Sequence, residues 1–230
     1  MKIKKASDIS RTDLWRVLLY GTAGLGKTSA IKGLSGKTLV LDLDGSSRVL
    51  SGLKNVDVIE FDRNNPTQAM NDFLKEVNDV LPDYINLVID NITSFQSDWF
   101  VEQGKKSHNG ISNELQHYGT WTNYFLRLLT ALYSLPVNIY VTAWESTVEI
   151  KLESGQIITK YVPQIREQVL NQLLGLTDVV GRIKVNEKTG ARGAILEGND
   201  GLYAKNRLDN RKACKIEELF KFGDVKDETT

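Results

Sequence analysis

The residues with the clearest chemical potential form a glycine-rich segment, "GTAGLGKTS", that directly follows the apolar run "LWRVLLY". Gly21, Gly26, Lys27 and Thr28 have the spacing of a phosphate-binding P-loop. Glycines let the backbone curl so that successive N–H groups face a triphosphate. A glycine-rich turn that matches by chance is the alternative, but the strand-like run before the segment favours a nucleotide site. The predicted site comprises Gly21, Thr22, Ala23, Gly24, Leu25, Gly26, Lys27, Thr28 and Ser29.

Two of these side chains have predicted roles in binding ATP and Mg²⁺. The Lys27 ammonium is expected to reach the β- and γ-phosphates, and the Thr28 hydroxyl is expected to ligate Mg²⁺. A helix over residues 27–34 would direct its positive N-terminus at the same phosphates. These roles predict a nucleotide triphosphate bound together with its metal.

A second Mg²⁺ ligand is predicted at the end of the apolar run "INLVID". Such ATP sites need a carboxylate at the end of a buried strand to hold the metal that neutralises phosphate charge. Asp90 fits that role, with Thr28 as the other protein ligand. An acid that only ends a strand is the alternative.

Hydrolysis also needs a base that polarises water, and the residue after Asp90 is Asn91 rather than an acid. The segment "LVLDLDGSS" offers Asp42 and Asp44, which alternation places on the same side of a strand. Asp44, expected at the carboxyl end of that strand, is the predicted general base. A turn formed by the Asp-Gly pair is the alternative reading.

Composition is typical of one globular α/β domain. The chain has 230 residues, with 29 basic and 29 acidic side chains, so no overall charge demands a nucleic-acid partner. The single cysteine, Cys214, excludes an intramolecular disulfide and is typical of a reducing cytosol. The basic N-terminal segment lacks the apolar core of a signal peptide, and no apolar run approaches the ~20 residues of a membrane span. A cytoplasmic protein is therefore expected.

Strand-like and helix-like segments alternate through the first two thirds of the chain. This alternation predicts a mostly parallel sheet with helices on both faces. A helix from Pro66 and another around Trp121 are predicted from apolar spacing, and the aromatic residues of the second are expected in the core. A polar segment over 96–119 is predicted to lie between them. The strands are predicted at "RVLLY", "KTLVLDLDG", "VDVIEF", "YINLVIDN" and "VNIYVTAW".

The C-terminal third has a different pattern and predicts antiparallel structure. The segment "STVEIKLESGQIITKYV" is typical of a hairpin with its turn at "ESG", and a helix is predicted over 163–174. The segment "TDVVGRIKVNEKTGARGAILE" predicts two further antiparallel strands. We assign residues 1–220 to one ATPase core and residues 221–230 to a charged, disordered tail.

An acid after strand two, with none following the Asp90 position, resembles the RecA family. In "LYAKNRLD", Lys205 and Arg207 resemble the paired cations that RecA proteins and DnaB-type helicases insert into a neighbouring subunit's ATP site. The resemblance implies a RecA-like P-loop fold, self-assembly into a ring or filament, and a catalytic role in trans for both cations. A solvated turn is the alternative for this segment.

The whole chain resembles the phage P-loop proteins of the Sak-four group, which are minimal RecA-like ATPases of single-strand annealing and recombination. The pair "TDVVGRI" and "AKNRL" carries this resemblance most specifically. Two departures stand out. RecA proteins usually carry glutamate at the Asp44 position, and "TAWE" stands where they place a γ-phosphate-sensing glutamine, which leaves Thr142 and Glu145 as candidates. No counterpart of the separate N-terminal assembly domain of RecA is expected in this sequence.

The resemblance also implies that single-stranded DNA binds two loops, one after each of the fourth and fifth strands. Cations on flexible loops suit phosphate-backbone binding, although acidic neighbours dilute both segments and ordinary solvated loops are the alternative. The predicted contacts are Lys105, Lys106, His108, Lys151, Lys160 and Arg166.

The predicted function is an ATP- and Mg²⁺-dependent RecA-like ATPase that binds single-stranded DNA and promotes annealing or recombination in phage DNA metabolism, in the host cytoplasm. Its predicted partners are single-stranded DNA and further copies of itself, with a single-strand-binding protein as a further candidate and no membrane. A slow or non-catalytic nucleotide-dependent switch or loader is the alternative. A small-molecule kinase is less favoured, because such enzymes carry an arginine-rich lid and only Arg166 lies between strand five and "VVGRI".

Overall fold

The computed structural model describes residue 3, residues 5–10 and residues 12–223. These residues form eleven strands and four α-helices. The strands are β1 (Arg16–Tyr20), β2 (Thr38–Asp42), β3 (Val56–Glu60), β4 (Asn86–Asp90), β5 (Asn138–Ala143), β6 (Glu145–Lys151), β7 (Ile157–Pro163), β8 (Val179–Val185), β9 (Arg192–Ile195), β10 (Lys205–Asn206) and β11 (Ala213–Lys215). The α-helices are α1 (Pro66–Val80), α2 (Ile92–Lys105), α3 (Leu115–Tyr133) and α4 (Glu167–Leu176).

Nine of the described strands form one mixed sheet. Its order is β11–β9–β8–β1–β5–β4–β2–β3, and β10 also pairs with β8. The strands from β8 to β3 run parallel, whereas β9, β10 and β11 pair antiparallel. Strands β6 and β7 form a separate hairpin. The predicted fold class, a mostly parallel sheet with an antiparallel C-terminal part, is confirmed.

The two faces of the sheet are covered differently. Alternate residues of β1 divide between two cores: Leu18 belongs to the core packed against α1–α4, and Leu19 belongs to the other. The second face is covered by short 3-10 turns and the C-terminal segment, through residues such as Ile31 and Leu219. The aromatic face of α3 is buried, as predicted, with Trp121 fully inaccessible. Among the described residues, no helix is long and apolar enough to cross a membrane.

The predicted polar segment over 96–119 is largely wrong, because most of it is helical. Helix α2 begins immediately after β4, and the Asn91 side chain caps it by accepting a hydrogen bond from the Thr93 N–H at 2.8 Å. Phe95 and Trp99, four residues apart, bury one face of the helix. The polar residues that suggested a loop occupy the outer face and the shorter connection over 106–114.

Two other element boundaries differ from prediction. The helix predicted over 27–34 is a 3-10 helix over Thr28–Gly33, in which the Ala30 N–H is shared between the carbonyls of Gly26 and Lys27. The helix predicted from Pro163 begins at Glu167, because Pro163 still pairs with Glu145 in the β6–β7 hairpin. The hairpin itself is confirmed.

Part of the tail predicted over 221–230 lies outside the described residues, which end at 223. Just before that point, Phe220 stacks on Trp15 with ring centroids 5.4 Å apart, and Phe222 meets the same indole edge-on at 5.7 Å. The described end of the chain therefore packs beside the start of β1.

A buried arginine joins β1 to the end of α3. The Arg16 side chain, 8% exposed, donates hydrogen bonds to the carbonyls of Tyr133, Leu135 and Val137 at 2.7–3.2 Å. It also donates to the carbonyls of Leu14 and Trp15. This guanidinium satisfies carbonyls that the end of a helix and the following turn leave unpaired.

We expect Arg16→Met to lower the free energy of unfolding by about 3 kcal/mol, because it leaves several buried carbonyls without donors. The shift in urea midpoint measures this loss. Arg127→Met, the same change on the exposed face of α3, is the control and should alter stability by less than about 0.5 kcal/mol. Equal effects of the two changes would contradict the structural role of Arg16.

Candidate nucleotide-binding site

The glycine-rich segment forms a tight loop between β1 and the 3-10 helix that starts at Thr28. Gly26 has φ +94°, a conformation that side chains with a Cβ rarely adopt. At Gly21, a Cβ would lie 2.4 Å from Cγ2 of Ile183 on β8. Gly26 is therefore required by its backbone conformation and Gly21 by the packed Ile183 side chain, and the loop has the compact form that a phosphate cradle needs.

The Lys27 side chain folds back over this loop. It is 7% exposed, and its Nζ donates to the carbonyls of Gly21 and Thr22, each at 2.9 Å. Burial lowers the pKa of Lys27, and the nearby carboxylates of Asp90 and Asp44 oppose that change. The Lys27 ammonium thus lies at the P-loop, and Asp90 and Asp44 are close enough to affect its pKa.

The carboxyl end of β4 carries Asp90, which is 2% exposed. Its Oδ2 accepts a hydrogen bond from Ser46 Oγ at 3.2 Å, and its Oδ1 accepts one from Thr142 on β5. Burial raises the pKa of Asp90, and the hydrogen bonds from Thr142 and Thr28 oppose that rise. Asp90 is therefore fixed in position by hydroxyl groups from three other segments.

The donor set around Asp90 fits a magnesium ion. Thr28 Oγ1 lies 3.2 Å from Ser46 Oγ, which in turn contacts Asp90. Hydroxyl and carboxylate oxygens are hard ligands, and Mg²⁺ is usually held by one or two protein groups together with phosphate oxygens and water. Thr28 and Asp90, the two predicted metal ligands, are thus close to each other, with Ser46 in contact with both.

The two acids of "LDLDG" have different environments. Asp42, not Asp44, ends β2, and its carboxylate accepts hydrogen bonds from the N–H groups of Gly45, Ser46 and Ser47 at 2.9–3.1 Å. The expectation that Asp44 ends the strand is therefore wrong, because the chain turns after Asp42. Asp44 still lines the P-loop cavity, while Asp42 anchors the turn.

A cavity of about 440 Å³ lies over the P-loop. The sequence analysis did not identify several of its lining residues, because they are far from the motif in sequence. Arg192, at the start of β9, is the cation among these unidentified residues, and no spacing pattern in the sequence indicated it. The cavity is lined by Ala23, Gly24, Gly26, Lys27, Thr28, Ser29, Asp44, Ser46, Val49, Asp90, Asn91, Trp144 and Arg192.

The two candidates for the strand-five position have separate contacts. Thr142 touches Asp90 directly, as described above. Glu145 instead pairs with Arg182 on β8, with Oε2 2.6 Å from Nε and both side chains 9% exposed. The Arg182 guanidinium also lies 3.5 Å from the centre of the Tyr161 ring. Thr142 is thus the candidate that reaches Asp90, the predicted metal ligand, and Glu145 fixes the base of the β6–β7 hairpin.

Lys205 and Arg207 are remote from the P-loop of their own subunit. Lys205 pairs with Val180 on β8, and Val180 is level with Leu18 in the middle of β1. The Arg207 N–H donates to the carbonyl of Asp178, which lies just before β8 and beside the amino end of β1. The P-loop begins at Gly21, beyond the carboxyl end of β1 and about 10 Å along the strand direction from the level of Leu18. These cations therefore do not join the site within one chain.

Both cations contact the end of helix α4. Lys205 Nζ and Arg207 Nη1 donate to the Gly175 carbonyl at 3.3 and 3.0 Å. Burial, together with the charge of Arg207, lowers the pKa of Lys205 to about 8. The pair has a local role in capping a helix C-terminus, where cations are favoured.

The residues predicted in the first DNA loop lie at and after the end of α2. Lys105 is its last residue, and Lys106 forms an ion pair with Glu102 at 2.5 Å. His108 lies in the connection to α3, where its backbone N–H donates to Glu114 at 2.8 Å. Lys105 thus belongs to a helix and Lys106 caps its end, so neither lies in the middle of a mobile loop.

The residues predicted in the second loop lie on and after the β6–β7 hairpin. Lys151 ends β6 and is exposed, and Lys160 lies on β7 opposite Val148. Arg166 precedes α4, and its guanidinium packs over the Tyr118 ring with Cζ 4.5 Å from the ring centre. This contact links the segment after the hairpin to α3, because Tyr118 lies on α3, ten residues after His108.

Comparison with known proteins gives a family and a fold. The sequence model of the AAA domain family matches residues 13–208. No curated protein matches the chain. The structure of the RadB recombinase is similar over 87% of this chain and 85% of that one, with 15% identity and a TM-score of 0.51. A KaiC-like protein from Pyrococcus horikoshii OT3 is similar over 80% and 79%, with 16% identity and a TM-score of 0.46.

We expect Lys27→Ala to weaken ATP binding by at least about tenfold, since it removes the ammonium at the loop and its charge-assisted hydrogen bonds to phosphate. Isothermal titration calorimetry measures the change. Lys32→Ala is the matched control, because Lys32 lies in the same 3-10 helix and is exposed. Unchanged affinity in Lys27→Ala would show that the loop does not bind phosphate.

Proposed function

We propose that this chain, which belongs to the AAA domain family, is an ATPase with a RecA-like core that binds single-stranded DNA and promotes annealing and homologous recombination. One observation carries the proposal. Lys27, Thr28, Asp44 and Asp90 come from three separate segments, and all four line a single cavity over the P-loop. This is the set of charges and oxygens that a magnesium triphosphate requires.

Each of these side chains has a specific chemical role in the proposal. Lys27 leaves the carbonyls of its own loop to contact the β- and γ-phosphates. Thr28 and Asp90 hold Mg²⁺, which neutralises negative charge on the phosphates when bound. Asp90 is positioned for this by Thr142 and Ser46.

Asp44 is the proposed base that orients and deprotonates the attacking water. It lies in the turn after β2 and lines the cavity, and the residue after Asp90 is Asn91, which cannot accept that proton. The position of Asp44 in a turn also supports the alternative function, a nucleotide-dependent switch or loader with slow turnover. An aspartate whose carboxylate accepts the Ser46 N–H at 3.1 Å could support only slow turnover, as a nucleotide-dependent switch or loader requires.

We assign Lys205 and Arg207 to the ATP site of a neighbouring subunit, where they stabilise charge on the γ-phosphoryl group. Their position at the far edge of the sheet supports action in trans, since neither is near its own P-loop. Self-assembly into a ring or filament follows from this assignment.

The proposed DNA surface combines the end of α2 with the β6–β7 hairpin. Helix α2 follows β4 and the hairpin follows β5, and the carboxyl ends of β4 and β5 line the proposed ATP site. A conformational change on nucleotide binding can therefore be transmitted directly to both. The Arg166–Tyr118 contact links the segment that follows the hairpin to α3, and Lys105 at the end of α2 and Lys151 at the end of β6 are both exposed. The RadB recombinase, whose fold the chain shares, is consistent with a role in recombination. From the resemblance to the Sak-four group we also propose that the protein acts in phage DNA metabolism and that a single-strand-binding protein is a further partner.

We expect single-stranded DNA to raise the steady-state ATPase rate severalfold at low salt. The rise should shrink as salt increases, because phosphate contacts by Lys and Arg release counterions. The measurement is ATP hydrolysis with and without a single-stranded oligonucleotide at two salt concentrations.

Two variants serve as controls for that measurement. Asp90→Asn should bind DNA normally and lose hydrolysis, and Lys54→Ala, at an exposed position away from both proposed surfaces, should behave as the unmodified protein does. ATP binding with a flat, near-zero rate under all conditions would contradict the DNA-dependent ATPase and support the switch.

Arg207→Ala should lower the ATPase rate at least about tenfold, since it removes a cation from the neighbour's site. Mixing it with inactive Lys27→Ala protein should restore part of the activity. In mixed assemblies, an intact P-loop of the first variant faces an intact Arg207 of the second. The measurement is the rate as a function of mixing ratio. A strictly additive, near-zero rate at every ratio would rule out action in trans.

A further inference from the structure

The hairpin formed by β8 and β9 is packed against both ends of the P-loop. Strand β8 runs parallel to β1, and Arg182 is level with Tyr20, so residues 183–185 extend past the end of β1. Ile183 abuts Gly21 at the start of the loop. The chain then turns back, and Arg192 on β9 pairs with Val185. The hairpin thus forms one wall of the nucleotide cavity.

Arg192 lies over the other end of the loop. A Cβ placed on Gly26 would be 3.0 Å from Arg192 Nη1 and 3.3 Å from its Cζ, so the guanidinium itself rests on the backbone beside Lys27. The side chain also lines the cavity. Within the described residues, no carboxylate forms an ion pair with Arg192, in contrast to Arg182 on the same hairpin. Its hydrogen-bond donors are available to a ligand in the cavity.

The order of strands indicates which part of a nucleotide Arg192 would meet. Strand β1 lies between β5 and β8. The proposed metal ligand Asp90 lies on the β5–β4 side, and the metal would neutralise charge on the terminal phosphates, so the γ-phosphate would lie on that side. The α-phosphate and the nucleoside then extend toward β8 and β9, where Arg192 lies.

We infer that Arg192 binds the α-phosphate of a nucleoside di- or triphosphate within its own subunit. A planar guanidinium suits bidentate phosphate binding. The inference rests on the proposed ATP site and assigns Arg192 to affinity rather than to the γ-phosphoryl transfer. Because ATP and ADP share the α-phosphate, Arg192 contributes to the binding of both. This separates it from Lys205 and Arg207, whose proposed contacts are to the γ-phosphate of another subunit.

The test compares the affinities of a non-hydrolysable ATP analogue and of ADP, measured by calorimetry on the full chain. Arg192→Ala should weaken both by a similar factor of about tenfold or more, with kcat at saturating ATP changed less than twofold. Arg192→Lys keeps the charge but loses the bidentate geometry, and should recover part of the affinity.

Lys184→Ala is the matched control, since Lys184 is exposed on the same hairpin and neighbours Ile183, so it points to the opposite face. It should bind both nucleotides normally. Because Arg192 is exposed, its replacement should leave the melting temperature unchanged, so lost affinity would not reflect unfolding.

Three outcomes would overturn the inference. Unchanged affinity in Arg192→Ala, with binding lost in Lys27→Ala, would reject Arg192 and leave the ATP site intact. Weakened binding of the ATP analogue alone would place Arg192 at the γ-phosphate instead. An unmodified protein that binds neither nucleotide would reject the proposed ATP site and this inference together.

Discussion

The parallel register of β2, β4, β5 and β1 is the constraint on which the candidate site depends. Asp42 is level with Asp90, and Leu19 is level with Thr142, so the ends of these strands lie at one edge of the sheet. Residues that are 18 to 52 positions apart in sequence then meet within hydrogen-bond distance. The buried, apolar strands keep this register, because a shift of one residue would turn core side chains toward the wrong face. The packing of the strands in the core therefore determines the positions of the site residues at their ends.

The sequence predicted the P-loop and the Asp90 strand because each is a local pattern: a glycine spacing in one case and an apolar run ending in an acid in the other. It did not predict α2, whose buried face consists of a few aromatic residues among polar ones. Only contact with α3 makes that face evident, as in the 5.1 Å separation of the Trp99 and Trp121 rings. Arg192 was missed for a similar reason, because its position over Gly26 depends on the pairing of β8 with β1.

The placement of Lys205 and Arg207 has two physical readings that are compatible. Within one subunit they cap α4 through the Gly175 carbonyl, an interaction that needs no partner. At the surface, two neighbouring cations repel each other, and that repulsion together with burial lowers the pKa of Lys205. An anionic group from a neighbouring subunit's site would relieve the repulsion. Capping of α4 is therefore compatible with the proposed contact to a phosphate in a neighbouring subunit.

The P-loop is thus contacted by two parts of the chain with different consequences. On one side, β4 and β5 supply Asp90, the proposed metal ligand, and Thr142, which hydrogen-bonds to it. On the other side, the β8–β9 hairpin supplies Ile183, which sets how closely the backbone of Gly21 can pack, and Arg192, which reaches over Gly26. Since β8 also carries Arg182, paired to Glu145 at the base of the β6–β7 hairpin, a displacement of β8 on nucleotide binding would be transmitted to the proposed DNA surface. The antiparallel part of the sheet is therefore where the proposed nucleotide site and the proposed DNA surface are joined by direct contacts.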